Sequence, residues 1–299
     1  MPDSDWSNLR ELFVSHLVTD LNLTDNTVEA YDDDTIDFFA WCKRKKLRSI
    51  ELPTEKLYDY LLDLRNRSLN PATIARHLSS LKHLYKFFVG EGVVKKNPAA
   101  SIEGPRLMRK LPQVLDQAEM EQLLAAPKPV NPLGIRDRAM LELWYACGLR
   151  ISEVRTVRVE DLMLELRLLR VMGKGRKERI VPFGTYARDA CNEYIETARP
   201  QLLKSPPTSI LFVNNLGSGL SRMGLWKILK KYTDLCGFRT KVKPHTIRHS
   251  CATHLIEAGA DIRTVMELLG HADISTTQIY THLDREYLRE VHRSFHPRA

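Results

Sequence analysis

The apolar residues of the first hundred positions follow helical spacing. They recur every three or four positions across residues 6–21, and this period predicts an amphipathic helix. The same spacing predicts three further helices, which begin near Asn26, Thr54 and Pro71. Proline is favoured in the first turn of a helix, which supports the last of these starts. The pattern therefore predicts a four-helix domain over residues 1–96.

The helical period stops between residues 97 and 112. Prolines at positions 98, 105 and 112 interrupt this stretch, and it holds no regular apolar spacing. Such a segment is typical of an interdomain linker. It also carries Arg106, Arg109 and Lys110, so contact with phosphate groups is an open alternative to a simple spacer.

Residues 113–299 combine both periodicities and predict a second, α/β domain. Helical spacing over 134–147 ends at a glycine, whereas 166–172 and 178–183 are short strand-like runs joined by a glycine- and lysine-rich turn. Two such runs around a short turn predict a β-hairpin. Residues 210–213 predict a further strand, and helical spacing resumes after Ser221. The predicted fold is mainly α with a small β-sheet, in two domains.

The last predicted helix carries a narrow apolar stripe. Leu288, Val291 and Phe295 lie three and then four positions apart, with charged residues around them. This spacing places them on one face. Packing of that face on its own domain is one interpretation, and docking on a neighbouring subunit is the other.

Composition supports a globular protein with an anionic partner. Hydrophobic residues make up 43% and charged residues 27%, which excludes a disordered or collagen-like chain. The net charge is +8. The first 110 residues carry 17 basic and 16 acidic side chains, whereas the remainder carries 28 and 21. The basic excess favours nucleic acid, a membrane surface or an acidic protein as partner, although a solvated basic surface would give the same count.

Cysteine usage and the N-terminus indicate a cytoplasmic protein. The five cysteines are widely spaced and form no Cys-x-x-Cys pair, which excludes a zinc ribbon or thioredoxin site. Cys147 and Cys251 stand among apolar residues and predict buried free thiols, as suits a reducing compartment. The acidic start lacks the apolar core of a signal peptide, and no apolar run approaches the roughly 18 residues of a membrane span. Membrane insertion is therefore not expected.

Six residues in five short segments could together bind and attack a phosphate. Taken singly, each has an ordinary structural explanation as a surface, turn, cap or packing residue. Two arginines, two histidines and a lysine nevertheless form a coherent phosphate clamp, and a tyrosine supplies an oxygen nucleophile. The candidates are Arg150, Lys174, His245, Arg248, His271 and Tyr280.

The start of one predicted helix carries two of these candidates. His245 and Arg248 are three positions apart and share a face, and Pro244 marks a helix N-terminus that favours anions. His245 and His249 also have the spacing of a zincin helix, but Thr246 stands where glutamate is required. Since the chain shows neither a carboxylate cluster for magnesium nor a glycine-rich ATP loop, we expect no metal and no cofactor.

The ordered set of motifs is similar to that of the tyrosine recombinase (phage integrase) family. The resemblance spans the whole chain, including the helical N-terminal part. The matching pieces are Gly148-Leu-Arg-Ile-Ser-Glu153, Gly173-Lys-Gly175, His245-Thr-Ile-Arg-His249, Leu269-Gly-His271 and Ser275-Thr-Thr-Gln-Ile-Tyr-Thr-His282.

The resemblance implies the chemistry of a site-specific DNA recombinase, which resembles that of a type IB topoisomerase. Tyr280 would attack the scissile phosphate and leave a 3′-phosphotyrosyl bond and a free 5′-hydroxyl. His245 would assist proton transfer, and Lys174 would protonate the leaving oxygen. The non-bridging oxygens would be held by Arg150, Arg248 and His271. Glu153 would either orient Arg150 or cap its helix.

The resemblance also implies an assembly. The helical core-binding domain and the catalytic domain would form a C-shaped clamp around duplex DNA, and a tetramer would act on two paired recombination sites. The Arg109–Pro112 junction and the Phe295–Ala299 terminus resemble members that resolve chromosome dimers at cell division. Those members pair with a second recombinase in a heterotetramer and respond to a septal DNA translocase. In relatives the terminal helix is handed to a neighbouring subunit.

Two other functions remain alternatives at this point. An integrase or resolvase of a mobile element would use the same chemistry. A non-catalytic DNA-binding protein would explain the charge but not the six-residue clamp.

Overall fold

The chain folds into two compact units, Met1–Lys110 and Leu111–Ala299. The computed structural model describes residues 3–21, 23–47, 49–105, 113–172, 178–204, 207–270 and 282–299. Each unit has its own hydrophobic core. Helices predominate in both, and the small sheet lies in the second, which confirms the predicted fold class.

The first unit contains the four predicted helices: α1 (Asp3–Thr19), α2 (Asp25–Arg44), α3 (Thr54–Asn66) and α4 (Pro71–Gly90). The side chain of Asn70 accepts a hydrogen bond from the Ala72 N–H at 2.9 Å and so caps α4. The apolar faces meet in a core rich in aromatic rings, among them Phe13, Phe38, Trp41, Tyr60, Tyr85 and Phe88.

The beginning of the predicted linker packs on the first unit. Ala99 and Ile102 are buried in its core. The Asn97 side chain donates to the Lys82 carbonyl at 3.1 Å and accepts from the Ala99 N–H at 2.9 Å. Residues 97–102 therefore extend the first unit, because two apolar side chains gain burial there. Residues 106–112 lie outside the described part of the chain.

The second unit surrounds a helix that is buried on all sides. Every residue from 139 to 149 is buried, as expected for a helix at the centre of a domain. The helices of this unit are α5 (Gln117–Ala125), α6 (Pro132–Ala146), α7 (Ile151–Thr156), α8 (Thr185–Glu193), α9 (Arg199–Leu202), α10 (Arg222–Cys236), α11 (Pro244–Glu257), α12 (Ile262–Leu269) and α13 (His282–Phe295).

The sheet has three antiparallel strands in the order β1 (Leu162–Met163), β2 (Leu168–Met172) and β3 (Glu178–Pro182). The two longer strands pair with Val171 opposite Arg179, which confirms the strands of the predicted hairpin. Their connection, residues 173–177, lies outside the described residues.

The further strand predicted at residues 210–213 was wrong. The structure has only isolated bridges there, between Arg158 and Ile210 and between Val213 and Gly219. Leu211 and Phe212 are nevertheless fully buried in the core. The apolar run therefore reflects burial rather than membership of a sheet.

The C-terminal helix packs on its own unit. Leu288 and Val291 are buried in the core of the second unit, which agrees with the first of the two interpretations of the apolar stripe. Beyond the helix, Arg298 forms an ion pair with the buried Glu142, and its guanidinium lies 3.8 Å from the ring centroid of Tyr186. The end of the chain is thus held against α6 and α8.

All five cysteines are free, and Cys147 and Cys251 are buried as predicted. In the described ranges, no helix has both the length and the apolar character needed to span a membrane.

Candidate active site

The two predicted arginines, Arg150 and Arg248, lie where four elements of the second unit meet. These elements are α7, α11, α12 and β3. Arg150 immediately precedes α7, Arg248 lies in α11, Arg179 lies in β3, and all three contact carbonyls at the end of α12. Gly148 allows the chain after α6 to lie close to the end of α12. It has a φ of 53°, and a Cβ there would overlap the side chain of Leu269.

Arg150 is held on one side and open on the other. Its Nη1 donates to Glu153 Oε1 at 3.0 Å, and its Nη2 donates to the Gly270 carbonyl at 3.0 Å. The side chain keeps 36% of its exposure. Arginine has five N–H donors in a planar fork, so this residue is fixed in orientation and retains donors for a ligand.

Glu153 both orients Arg150 and caps its helix, which combines the two alternatives drawn from the sequence. One carboxylate oxygen accepts from the Arg150 side chain, and the other accepts from the Arg150 backbone N–H at 2.7 Å. Burial raises the pKa of this carboxyl, but hydrogen bonds and charge from Arg179, with a smaller contribution from Arg150, hold it below the ordinary value. Glu153 is therefore an ionised carboxylate at neutral pH.

Arg248 is the buried member of the pair. Only 5% of the residue is exposed. Its Nη1 donates to the Gly148 carbonyl at 2.8 Å, and its Nη2 donates to the Leu269 carbonyl. Burial, together with the charge of Arg150, lowers its pKa to about 10, so the guanidinium is still charged at neutral pH. A cation beside the carbonyl ends of α6 and α12 is electrostatically favourable.

His245 lies in the first turn of α11, one turn before Arg248. Burial lowers its pKa, and the positive charges of His249, Arg248 and Arg150 lower it further. The imidazole is therefore neutral at pH 7 and can accept a proton beside the arginines. The free N–H groups of this helix start also favour an anion.

The remaining three candidates lie outside the described residues. They are Lys174, His271 and Tyr280. Lys174 belongs to the connection between β2 and β3, and His271 directly follows Gly270, whose carbonyl binds Arg150. The structure thus brings together Arg150, His245 and Arg248, and the catalytic roles of all six residues stay predictions.

Sequence reasoning missed Arg179. This residue donates to both carboxylate oxygens of Glu153, at 2.8 and 3.0 Å. The signal was a strand alternation that places Arg179 and Val181 on one inward face. A charged residue at an inward strand position indicates a buried ion pair.

A third histidine of α11, His254, is a buried packing residue. Its ring lies between the Tyr145 hydroxyl at 2.7 Å and the Leu115 carbonyl at 2.9 Å. Among the described residues no three His, Cys, Asp or Glu side chains group closely enough to hold a metal.

Comparison with known proteins identifies the family. Residues 113–286 match the Phage integrase family, and residues 11–92 match the N-terminal SAM-like domain of phage integrases. The chain is 42% identical over 287 residues to tyrosine recombinase XerD of Lacticaseibacillus casei, covering 96% of this chain and 98% of that protein. Identity to XerD of Listeria innocua is 39% over 296 residues, covering 98% and 100%.

Solved structures share the fold. XerH recombinase, bound to a palindromic difH substrate in a post-cleavage complex, gives a TM-score of 0.72 at 25% identity, covering 95% of this chain and 83% of that one. A lambda integrase dimer bound to a core site gives 0.68 at 15% identity, covering 91% and 96%. The chain belongs to the phage integrase family of tyrosine recombinases. It is a site-specific DNA recombinase.

Proposed function

We propose that this recombinase cuts and rejoins duplex DNA at paired sites through a 3′-phosphotyrosyl intermediate, with Tyr280 as nucleophile. The observation that carries the proposal is the fixed pair Arg150 and Arg248, tied to the end of α12 directly before His271. The site combines one buried carboxylate, Glu153, with three guanidinium groups. Among the described residues, this site therefore keeps a positive charge that no further carboxylate neutralises.

That excess charge suits the transition state of phosphoryl transfer. Negative charge builds on the non-bridging oxygens as the tyrosine oxygen attacks, and preorganised donors stabilise it most when water is excluded. Arg150 presents its open donors to one oxygen, and Arg248 supports the other from within the protein. His271 would add a third donor beside them.

The proton steps fall to the other candidates. His245, neutral because of burial and its cationic neighbours, accepts the proton that Tyr280 loses. Lys174 donates a proton to the departing 5′-oxygen, as general acid catalysis requires. The phosphotyrosyl bond retains the energy of the broken phosphodiester, so rejoining needs no nucleotide, metal or other cofactor.

The relatives named XerD, 39–42% identical over nearly the whole chain, support a cellular role. In this role the protein resolves chromosome dimers during segregation at cell division. It acts in the cytoplasm in a heterotetramer with a XerC-like recombinase and is activated by a septal DNA translocase. Residues 1–96 form its core-binding domain, and residues 113–299 form its catalytic domain.

Trapping on a nicked suicide duplex tests the proposal. Loss of the short 5′-hydroxyl fragment prevents rejoining, so the wild-type chain accumulates a covalent adduct, and excess EDTA does not reduce its yield. Tyr280→Phe removes one oxygen, and we expect no adduct with unchanged duplex affinity. Tyr287→Phe is the matched control because that ring is exposed in α13. An adduct of normal yield in Tyr280→Phe would refute the assignment.

A further inference from the structure

We propose that Arg179 is a positioning residue for strand cleavage: it fixes Glu153 and the end of α12 so that Arg150 keeps its open donors directed at the scissile phosphate. This inference rests on the proposed function of Arg150.

The side chain of Arg179 donates hydrogen bonds from all three of its nitrogen atoms. Only 7% of the residue is exposed. Nη1 and Nη2 form a bidentate pair with Glu153, and Nε donates to the Leu268 carbonyl at 3.2 Å. Bidentate pairing sets the plane of both groups as well as their distance. The orientation of the Glu153 carboxylate is therefore fixed by Arg179.

Three successive carbonyls at the end of α12 each accept from a different arginine. The Leu268 carbonyl accepts from Arg179, the Leu269 carbonyl from Arg248, and the Gly270 carbonyl from Arg150. These carbonyls have no partner within the helix. The three contacts fix the end of α12 and Gly270, which directly precedes His271 in the sequence.

Gly270 allows Arg179 to lie against this turn. Its φ is 67°, and a Cβ at this position would lie 3.0 Å from Arg179 Cδ. Glycine adopts the left-handed conformation without strain and leaves room for the arginine stem. The close approach of β3 to the end of α12 thus depends on both residues.

Arg179 also governs how much of Arg150 is available. Its two hydrogen bonds satisfy both oxygens of Glu153, so Arg150 contributes only one side-chain bond to the carboxylate. Without Arg179, Arg150 and Arg248 would be the remaining cations beside this buried carboxylate among the described residues. Arg150 would then turn its fork toward Glu153, because a buried carboxylate without strong donors is costly.

Two substitutions separate charge from geometry. Arg179→Met removes both, whereas Arg179→Lys keeps the charge and loses the bidentate fork. Arg170→Met on the neighbouring strand is the matched control, since Arg170 is more exposed than Arg179 and pairs with a different carboxylate, Asp161. The measurements are the single-turnover rate of adduct formation on the nicked duplex, the duplex affinity, and the fraction folded by circular dichroism, each across pH.

We expect Arg179→Met to slow cleavage per folded molecule by about 100-fold, the loss typical of a displaced catalytic group. Arg179→Lys should be slowed less, and duplex affinity should change by less than about threefold because the phosphate backbone dominates binding. The acid limb of the rate profile should move to higher pH in both variants. Arg179 holds the pKa of Glu153 down, so its loss lets the carboxylate protonate at a higher pH.

The outcomes are distinguishable. If Arg179→Met does not fold, Arg179→Lys carries the test through the same rate and the same pH profile. Wild-type rates and an unshifted acid limb in folded Arg179→Lys or Arg179→Met would overturn the inference and leave the proposed function intact. Failure of the wild-type chain to form any adduct would overturn both.

Discussion

Each unit buries a carboxylate among polar partners, and the two carboxylates behave in opposite ways. Glu153 in the second unit and Asp34 in the first are 4% and 3% exposed. The pKa of Glu153 lies below its ordinary value, whereas burial raises the pKa of Asp34 to about 6. Since burial is similar, the neighbours decide the direction of the shift.

The neighbours differ in charge. Asp34 accepts from the Ser80 hydroxyl at 2.7 Å and lies 2.8 Å from the Arg76 guanidinium, which is the one cationic side chain paired with it among the described residues. Its third neighbour, His77, lies 3.1 Å away, and burial lowers the pKa of that imidazole to about 4. Glu153 instead faces three arginines.

The difference separates a network that specifies packing from one that can act on a ligand. Around Asp34 the polar groups satisfy one another, and the network continues through the Tyr60 hydroxyl to Asp37. Around Glu153, three arginines face one carboxylate among the described residues, so an anion is needed to balance their charge. Uncompensated charge, rather than burial of charge, marks the candidate site.

The largest expected effect comes from neutralising each carboxylate in turn. Glu153→Gln leaves three clustered arginines without their anion, so we expect the free energy of unfolding of the second unit to fall by about 3–5 kcal/mol. Asp34→Asn removes a charge that burial already disfavours and keeps its hydrogen-bonding oxygen. We therefore expect a change within about 1 kcal/mol for the first unit at pH 7.

Pulse proteolysis of the full chain in urea, with peptides of each unit followed by mass spectrometry, measures both values. Equal losses for Glu153→Gln and Asp34→Asn would contradict the distinction between the two networks.

A smaller effect concerns the pH dependence of the stability of the first unit. Between about pH 4 and 6 the folded first unit carries one proton on Asp34, and the unfolded chain carries one on His77. The proton counts match, so this pair adds no slope to stability. In His77→Asn only the raised pKa of Asp34 remains. The folded state then binds the extra proton, and its stability falls as pH rises through this window.

The size of that change is up to about 3 kcal/mol for a pKa displaced by two units. Asp34→Asn should show the reverse, with stability rising as pH rises, because the lowered pKa of His77 means that the unfolded chain binds the proton. The same urea titrations at successive pH values measure both slopes. Flat profiles in both variants would show that neither residue titrates as described.

The sequence predicted the features that depend on local interactions and missed those that depend on contacts between distant positions. The period of α4 and the proline at its start are local signals, as is the period of the two longer strands, and all were predicted correctly. Arg150 and the Gly270 carbonyl are 120 positions apart, and only the folded chain shows that they meet. The Arg179–Glu153 pair was missed for the same reason, since no local spacing links a strand residue to a helix 26 positions earlier. The strand prediction at residues 210–213 was wrong because an apolar run does not reveal whether strands or helices cover it.

The central claim is that uncompensated positive charge around Glu153 holds the scissile phosphate. Its most direct test uses a duplex with a methylphosphonate at the scissile position. This group lacks the negative charge that Arg150 would stabilise. Arg150→Ala should slow adduct formation on the ordinary nicked duplex by about 1,000-fold, the size expected for loss of one oxyanion donor. On the methylphosphonate duplex its rate should approach that of the wild-type chain. An equal loss on both substrates would contradict the claim, because Arg150 would then act on something other than the charge of the phosphate.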